Sequence, residues 1–261
     1  MIKWLERLRI RHTLKHHPIP HETWEALMRD GDLFRGLTAV ERAHLRELTT
    51  LFLHRKTFSG VQGLTVTTEM AVTIVAQACL LVLKLDLDYY DGWVEVVLYP
   101  AAFRVERESI DQAGLVSHEA RALSGESWSR GAVILSWDDV ASELGDASSA
   151  HNVVLHEFAH KLDMLNGSAN GMPALHAEMD WQQWTAAFSD AFEHLQQQLS
   201  HHHKPAIDAY GAASPAEFFA VVSECFFSDP QRLLEHFPEV YAQLVLFYRQ
   251  DTMLRRVGAV S

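Results

Sequence analysis

Apolar residues recur at helical spacing through most of this chain, and a short middle stretch breaks that period. Between residues 20 and 58 the pattern is helical, with Trp24, Leu27 and Met28 on one face and Leu45, Leu48, Leu51, Phe52 and Leu53 on the next. Thr38 with Glu41 three residues on predicts a capping box at the start of the second helix. Gly60 and Gly63 then interrupt, and Leu64-Thr65-Val66 predicts a short strand. Thr67-Thr68-Glu69 opens a strongly apolar helix over 70–85, the expected buried centre of the fold. Period two takes over at 93–99 and stops at Pro100; stretches 115–123 and 132–137 predict two more strands. Asp138-Asp139 begins a short helix before Gly145. A helix over about 148–165 follows, then a polar, flexible loop at 167–173. A long helix is predicted from His176 to about Leu199, with Trp181, Trp184, Phe188, Phe192 and Leu195 on its apolar side. Ser214-Pro215 starts another over 216–227, and 233–248 completes a helical C-terminal half. The expected class is α+β, mostly helical, with a small β-sheet preceding the 148–165 helix. Residues 1–60 form a helical region packed on a domain over 61–261, as one continuous globular unit.

Composition narrows the function. A hydrophobic share of 48% and a charged share of 21% over 261 residues are those of an ordinary globular protein. The formal charge of −12 argues against direct nucleic-acid binding, which needs a basic face. Cys79 and Cys225 sit in apolar runs and read as buried thiols, which suits a reducing compartment. The longest apolar run, 71–83, is too short to span a bilayer, and the N-terminal stretch lacks the pattern of a secretory signal, so a cytoplasmic location is expected. The first twenty residues are locally basic and read as a solvated terminal helix.

The chemistry lies in His156-Glu157-Phe158-Ala159-His160. On a helix, residues four apart stand one turn above each other, so the two imidazoles share a face and Glu157 projects beside them. This is the zinc-site pattern H-E-x-x-H, with two nitrogen ligands and a carboxylate general base. With 16 His and 19 Glu in the chain, about 0.07 chance matches are expected, so the setting adds weight. The motif falls mid-helix among Val153, Val154, Leu155, Phe158, Leu162 and Leu165, with Ser148 or Ser149 as the expected cap and Asn166-Gly167 as the stop. Asp163, three past His160, lies on the same face and reads as a carboxylate that fixes an imidazole. The run His201-His202-His203 reads as a solvated loop, because consecutive positions converge poorly on one ion.

A catalytic zinc needs a third protein ligand. A histidine six residues past His160 is excluded, since Asn166 stands there. Candidates are Glu178, Glu193, Glu217, Glu224, Glu235 and Glu239. Glu217 and Glu224 stand out because their helix is otherwise very apolar, and burying a carboxylate there is costly unless it is paired or bound to metal. Spacing alone does not choose between them.

The segment 156–163, together with Tyr210 seven residues before Glu217 and a Phe-rich helix, resembles the Mlc titration factor A family of bacterial zinc peptidases. The anthrax lethal factor catalytic domain is a more distant likeness. The resemblance runs over most of the chain and is strongest at 154–163 and 210–227. It implies a zincin-like metallopeptidase fold with one Zn2+ held by His156, His160 and Glu217, Glu157 as general base, and Tyr210 as a donor to the developing oxyanion. Glu224 remains a supporting carboxylate. It further implies aminopeptidase-like action on peptides and binding to the Mlc repressor of glucose phosphotransferase genes, with no membrane partner. The alternative is a non-catalytic protein that titrates a transcription factor. The strand at 132–137 is the candidate for pairing with a peptide substrate.

Overall fold

The computed structural model describes residues 2–101, 107–110, 116–119, 131–144 and 151–258. Helices α1 (Ile2–His16), α2 (His21–Asp30) and α3 (Ala39–Arg55) come first. The Thr38 hydroxyl accepts from the Glu41 amide at 3.2 Å and Glu41 accepts from the Thr38 amide at 3.0 Å, closing the capping box that starts α3.

The next strand, β1 (Thr57–Gly60), is displaced from the expected 64–66. At Gly60 the backbone passes so close to Leu64 that an added Cβ would meet the Leu64 carbonyl oxygen at 2.0 Å. The chain folds back there, and Leu64 and Val66 pack on the core from a loop. Helix α4 (Thr68–Leu81) begins at its Thr67 cap and stops short of the expected 85. Its continuation tightens, with the Leu85 amide bonding the Val82 carbonyl at 3.0 Å. All residues from Ile74 to Val82 are essentially inaccessible, which makes α4 the buried centre.

Strand β2 (Glu95–Tyr99) pairs parallel with β1, Phe58 opposite Val96. After it, β3 (Arg107–Ile110) and β4 (Val116–Glu119) form an antiparallel pair within and beside the predicted 115–123 stretch; residues 115 and 120–123 lie outside the described residues. Strand β5 (Val133–Ser136) joins β2 in parallel, giving the order β1-β2-β5 with β5 at the edge among the described residues. Parallel neighbours need long crossovers, and α4 lies in the first of them.

Helices α5 (Trp137–Leu144), α6 (Val153–Asp163), α7 (Trp181–Ser200), α8 (Pro215–Ser228), α9 (Pro230–His236), α10 (Pro238–Tyr248) and α11 (Thr252–Gly258) complete the chain. The expected single segment at 233–248 is two helices, because Phe237 precedes a proline and is driven out of helical geometry, with ψ at 60°. Helix α7 starts at its Asp180 cap, five residues later than predicted, and leaves Trp181 exposed rather than on the apolar side. Helix α4 packs between α3 and α6, α6 packs on α8, and β5 lies against α6. One apolar cluster runs from Ile19 to Tyr248. Cys79 and Cys225 are buried free thiols. Among the described residues, no helix is long and apolar enough to cross a membrane.

Candidate metal centre

Helix α6 carries the H-E-x-x-H segment between two neighbours that treat it differently. Phe158, fully buried, packs with Phe52, Tyr90 and Trp93 at ring separations of 5.2–5.8 Å. The opposite face presents His156 and His160 to α8.

The start of α6 is built by Asn152, not by Ser148 or Ser149, which lie outside the described residues. The Asn152 side-chain oxygen accepts from the Leu155 amide at 2.8 Å, and its side-chain nitrogen donates to Gln77 of α4 at 2.6 Å. Its own amide donates to Glu224 at 2.9 Å. The Val153 amide is satisfied by Glu143 at 2.7 Å. The helix therefore reaches its neighbours through the orphan amides of its first turn. At the other end it tightens into a short turn over Met164–Asn166, closed by Gly167 at φ 107°.

Helix α8 brings Glu217 across. Ser214 caps its first turn, accepting from the Glu217 amide at 3.2 Å, and the Glu217 side chain turns toward the two imidazoles. His156 Nε2, His160 Nε2 and Glu217 Oε2 then form a triangle with edges of 3.1, 3.1 and 3.2 Å. Tetrahedral zinc with bonds of about 2.0–2.1 Å would set its ligand atoms about 3.3–3.4 Å apart, so the donors present fit such an ion. Three acceptor atoms converging this closely in a mostly buried place repel one another unless a cation or proton lies between them. His160 and Glu217 are 8% and 4% exposed.

The electrostatics point the same way. Burial opposes charge on His156, but hydrogen bonds to Glu217 and Glu224 outweigh it and push the imidazole up to about 10, so positive charge is favoured in this place. Burial pushes Glu217 up, and the two imidazoles pull it down further, to about 2. Glu157, beside them, is raised by burial and by Glu217, against the lowering effect of the histidines and Lys161.

Glu224, one of two acids left open by spacing, accepts from His156 Nδ1 at 2.5 Å. That bond fixes the tautomer and leaves Nε2 facing the triangle. Asp163 is placed otherwise. One oxygen accepts from the Gly171 amide at 2.8 Å; the other is buried without a hydrogen-bond partner among the described residues, as is His160 Nδ1. Burial raises Asp163 to about 6. The loop expected to be flexible is pinned by this bond and by the Trp184 indole, which donates to the Gly171 carbonyl at 3.2 Å. Gly171 has φ 76°, and an added Cβ would meet the Pro215 carbonyl at 2.4 Å, so the loop lies directly on the start of α8.

Tyr210 stands on a short turn, Ala209–Ala212, with its ring centre 6.0 Å from that of His156 and 40% of its surface exposed. It is the exposed wall of an otherwise buried site. The segment leading into β5 is tied to α6 by Lys161, which donates to the Gly131 carbonyl at 2.9 Å. Burial lowers Lys161 to about 8. Gln77, His151 and Asn152 belong to this network and carry no motif. Gln77 has one sequence signal, an amide interrupting an apolar helix.

A mostly helical α+β fold with this convergent donor set on an H-E-x-x-H helix defines a protein of metallopeptidase type. Residues 3–249 match the model of the glucose-regulated metallo-peptidase M90 family, and the chain belongs to it. It is similar to Mlc titration factor A of Cronobacter sakazakii, 38% identical over 258 residues, which cover 98% of this chain and 94% of the relative. Mlc titration factor A of Salmonella arizonae is 38% identical over 226 residues, 85% and 89% of the two chains. A Synechocystis protein is 36% identical over 243 residues, 92% of this chain and 88% of its own.

Proposed function

We propose that this chain is a zinc-dependent, aminopeptidase-like peptidase that also binds the repressor Mlc and so modulates glucose phosphotransferase gene expression. The observation that carries the peptidase reading is the triangle of His156, His160 and Glu217 with Glu157 beside it. These three would hold one zinc. Bound there, zinc supplies Lewis-acid stabilisation and makes a water acidic near neutral pH. Glu157 takes the proton of the attacking water and returns it to the leaving amine; its raised pKa brings it closer to the working range of such a base. Tyr210 donates its hydroxyl proton in a hydrogen bond to the developing oxyanion, a contribution typically of about 10²–10³ in rate. Glu224 orients His156. The outer edge of β5 takes an extended peptide by main-chain pairing. A structural zinc site would ordinarily use four protein ligands, often cysteines, and both cysteines here lie outside the triangle.

The buried free thiols support a cytoplasmic location. The continuous core supports treating 1–60 and 61–261 as one globular unit. Glu157→Gln should keep one zinc per chain while hydrolysis of aminoacyl anilides falls by about 10²–10⁴. Unchanged turnover would contradict the peptidase reading.

The second reading, a titrating protein whose main work is binding, is favoured by the name of the Cronobacter and Salmonella relatives. The same Glu157→Gln protein should then still retain Mlc in a pull-down. Failure of both forms to bind would remove it.

A further inference from the structure

His151 stands one residue before the Asn152 cap and outside the triangle. Its Nδ1 lies 3.3 Å from Glu224 Oε2, on the carboxylate whose other oxygen holds His156. Its Nε2 is paired with Asp208 Oδ2. Asp208 in turn caps the turn that carries Tyr210, its Oδ1 accepting from the Tyr210 amide at 2.7 Å. The order is therefore His156, Glu224, His151, Asp208, Tyr210. Two carboxylates on different segments meet across one imidazole. Glu224 above all, and then Asp208, raise it to about 9 against the cost of burial.

We infer that His151 is a positioning residue that clamps the Tyr210 turn to Glu224, so that the hydroxyl donor and the His156 ligand are set by one shared network. This rests on the peptidase reading of Tyr210. In this role His151 acts on neither the metal nor the substrate directly; it fixes where the turn sits relative to α8. The turn has its own short-range bonds, Gly211 amide to Asp208 carbonyl at 3.1 Å and Ala213 amide to Tyr210 carbonyl at 3.0 Å, and Gln196 of α7 donates to its Ala212 carbonyl at 3.3 Å, but none of these reaches the carboxylate that holds His156. The His151 bridge ties it to the metal centre.

The test uses the full zinc-loaded chain labelled with 3-fluorotyrosine, which gives six ring resonances for the six tyrosines. Tyr210→Phe assigns the relevant one. His151→Asn should shift that resonance, lower kcat about tenfold with KM within about twofold, and leave zinc stoichiometry unchanged, a part of what one oxyanion donor contributes. His151→Arg, whose guanidinium can bridge two carboxylates, should restore both the resonance and most of kcat. Because His151 acts through Tyr210, the double variant His151→Asn/Tyr210→Phe should turn over no more slowly than Tyr210→Phe alone. Additive losses, or an unmoved resonance, overturn the clamp. If the wild-type protein hydrolyses no peptide, the peptidase reading fails separately. The resonance then decides alone: a shift reversed by Arg supports the clamp, and no shift removes it.

Discussion

The two histidines of one motif sit a single helical turn apart and are held by different means. His156 is held by hydrogen bonds. Its Nδ1 meets Glu224, and Glu224 is itself held by the Asn152 amide and by His151. His160 has no such partner among the described residues. Its Nδ1 is buried and unpaired, and the nearby Asp163 turns one oxygen to the Gly171 backbone and leaves the other unpaired. Identical residues at identical helical phase therefore receive their orientation from a carboxylate in one case and from packing in the other. The lesson is that the motif fixes which atoms can meet, while the surrounding chain decides how firmly each is held.

That contrast can be broken experimentally. Glu224→Gln removes the charge that His156 leans on and should weaken zinc binding by about 10–100-fold, measured by competition with a chelator. Asp163→Asn should change zinc affinity by no more than about threefold, well below the range for a true supporting partner. Its effect should fall on the loop, read as faster proteolysis between residues 167 and 173. A reversed order of the two affinities would show that the arm on His160 is the important one. The smallest effect concerns His151. Its pKa is about 9 folded and 6.5 as a free side chain, so its stabilising contribution is complete below about 6.5 and is lost as pH rises through about 9. The side chain is 57% exposed, so solvent screening keeps that contribution small. Urea unfolding at about pH 6 and pH 10 should converge for wild type and His151→Asn at the higher pH. Parallel lines would contradict this.

The comparison also shows what a one-dimensional pattern carries. His156, Glu157 and His160 are legible because helical phase alone places them. Glu217 and Glu224 are legible as a pair because two acids in so apolar a helix need partners, and the structure brings both to the histidines. Asn152 and His151 are not legible, and Gln77 is legible only as an amide that interrupts an apolar helix. Their bonds join positions up to 75 residues apart, and no periodicity records which amide a cap will meet. The same limit applies to β1. Its position at 57–60 follows from parallel pairing with β2 and from the close approach at Gly60, where the local pattern favours 64–66. The break at Phe237 was open to a local reading, since a proline follows it.

The central claim is that one metal is held by two imidazoles and a carboxylate at the α6–α8 contact. The most direct test is zinc K-edge X-ray absorption on the protein loaded with one equivalent of zinc. The account predicts a shell of nitrogen and oxygen donors at about 2.0–2.2 Å, with the multiple-scattering signature of imidazole and no sulfur, and loss of that shell in Glu217→Ala. A sulfur shell near about 2.3 Å, or an unchanged spectrum in Glu217→Ala, would contradict it.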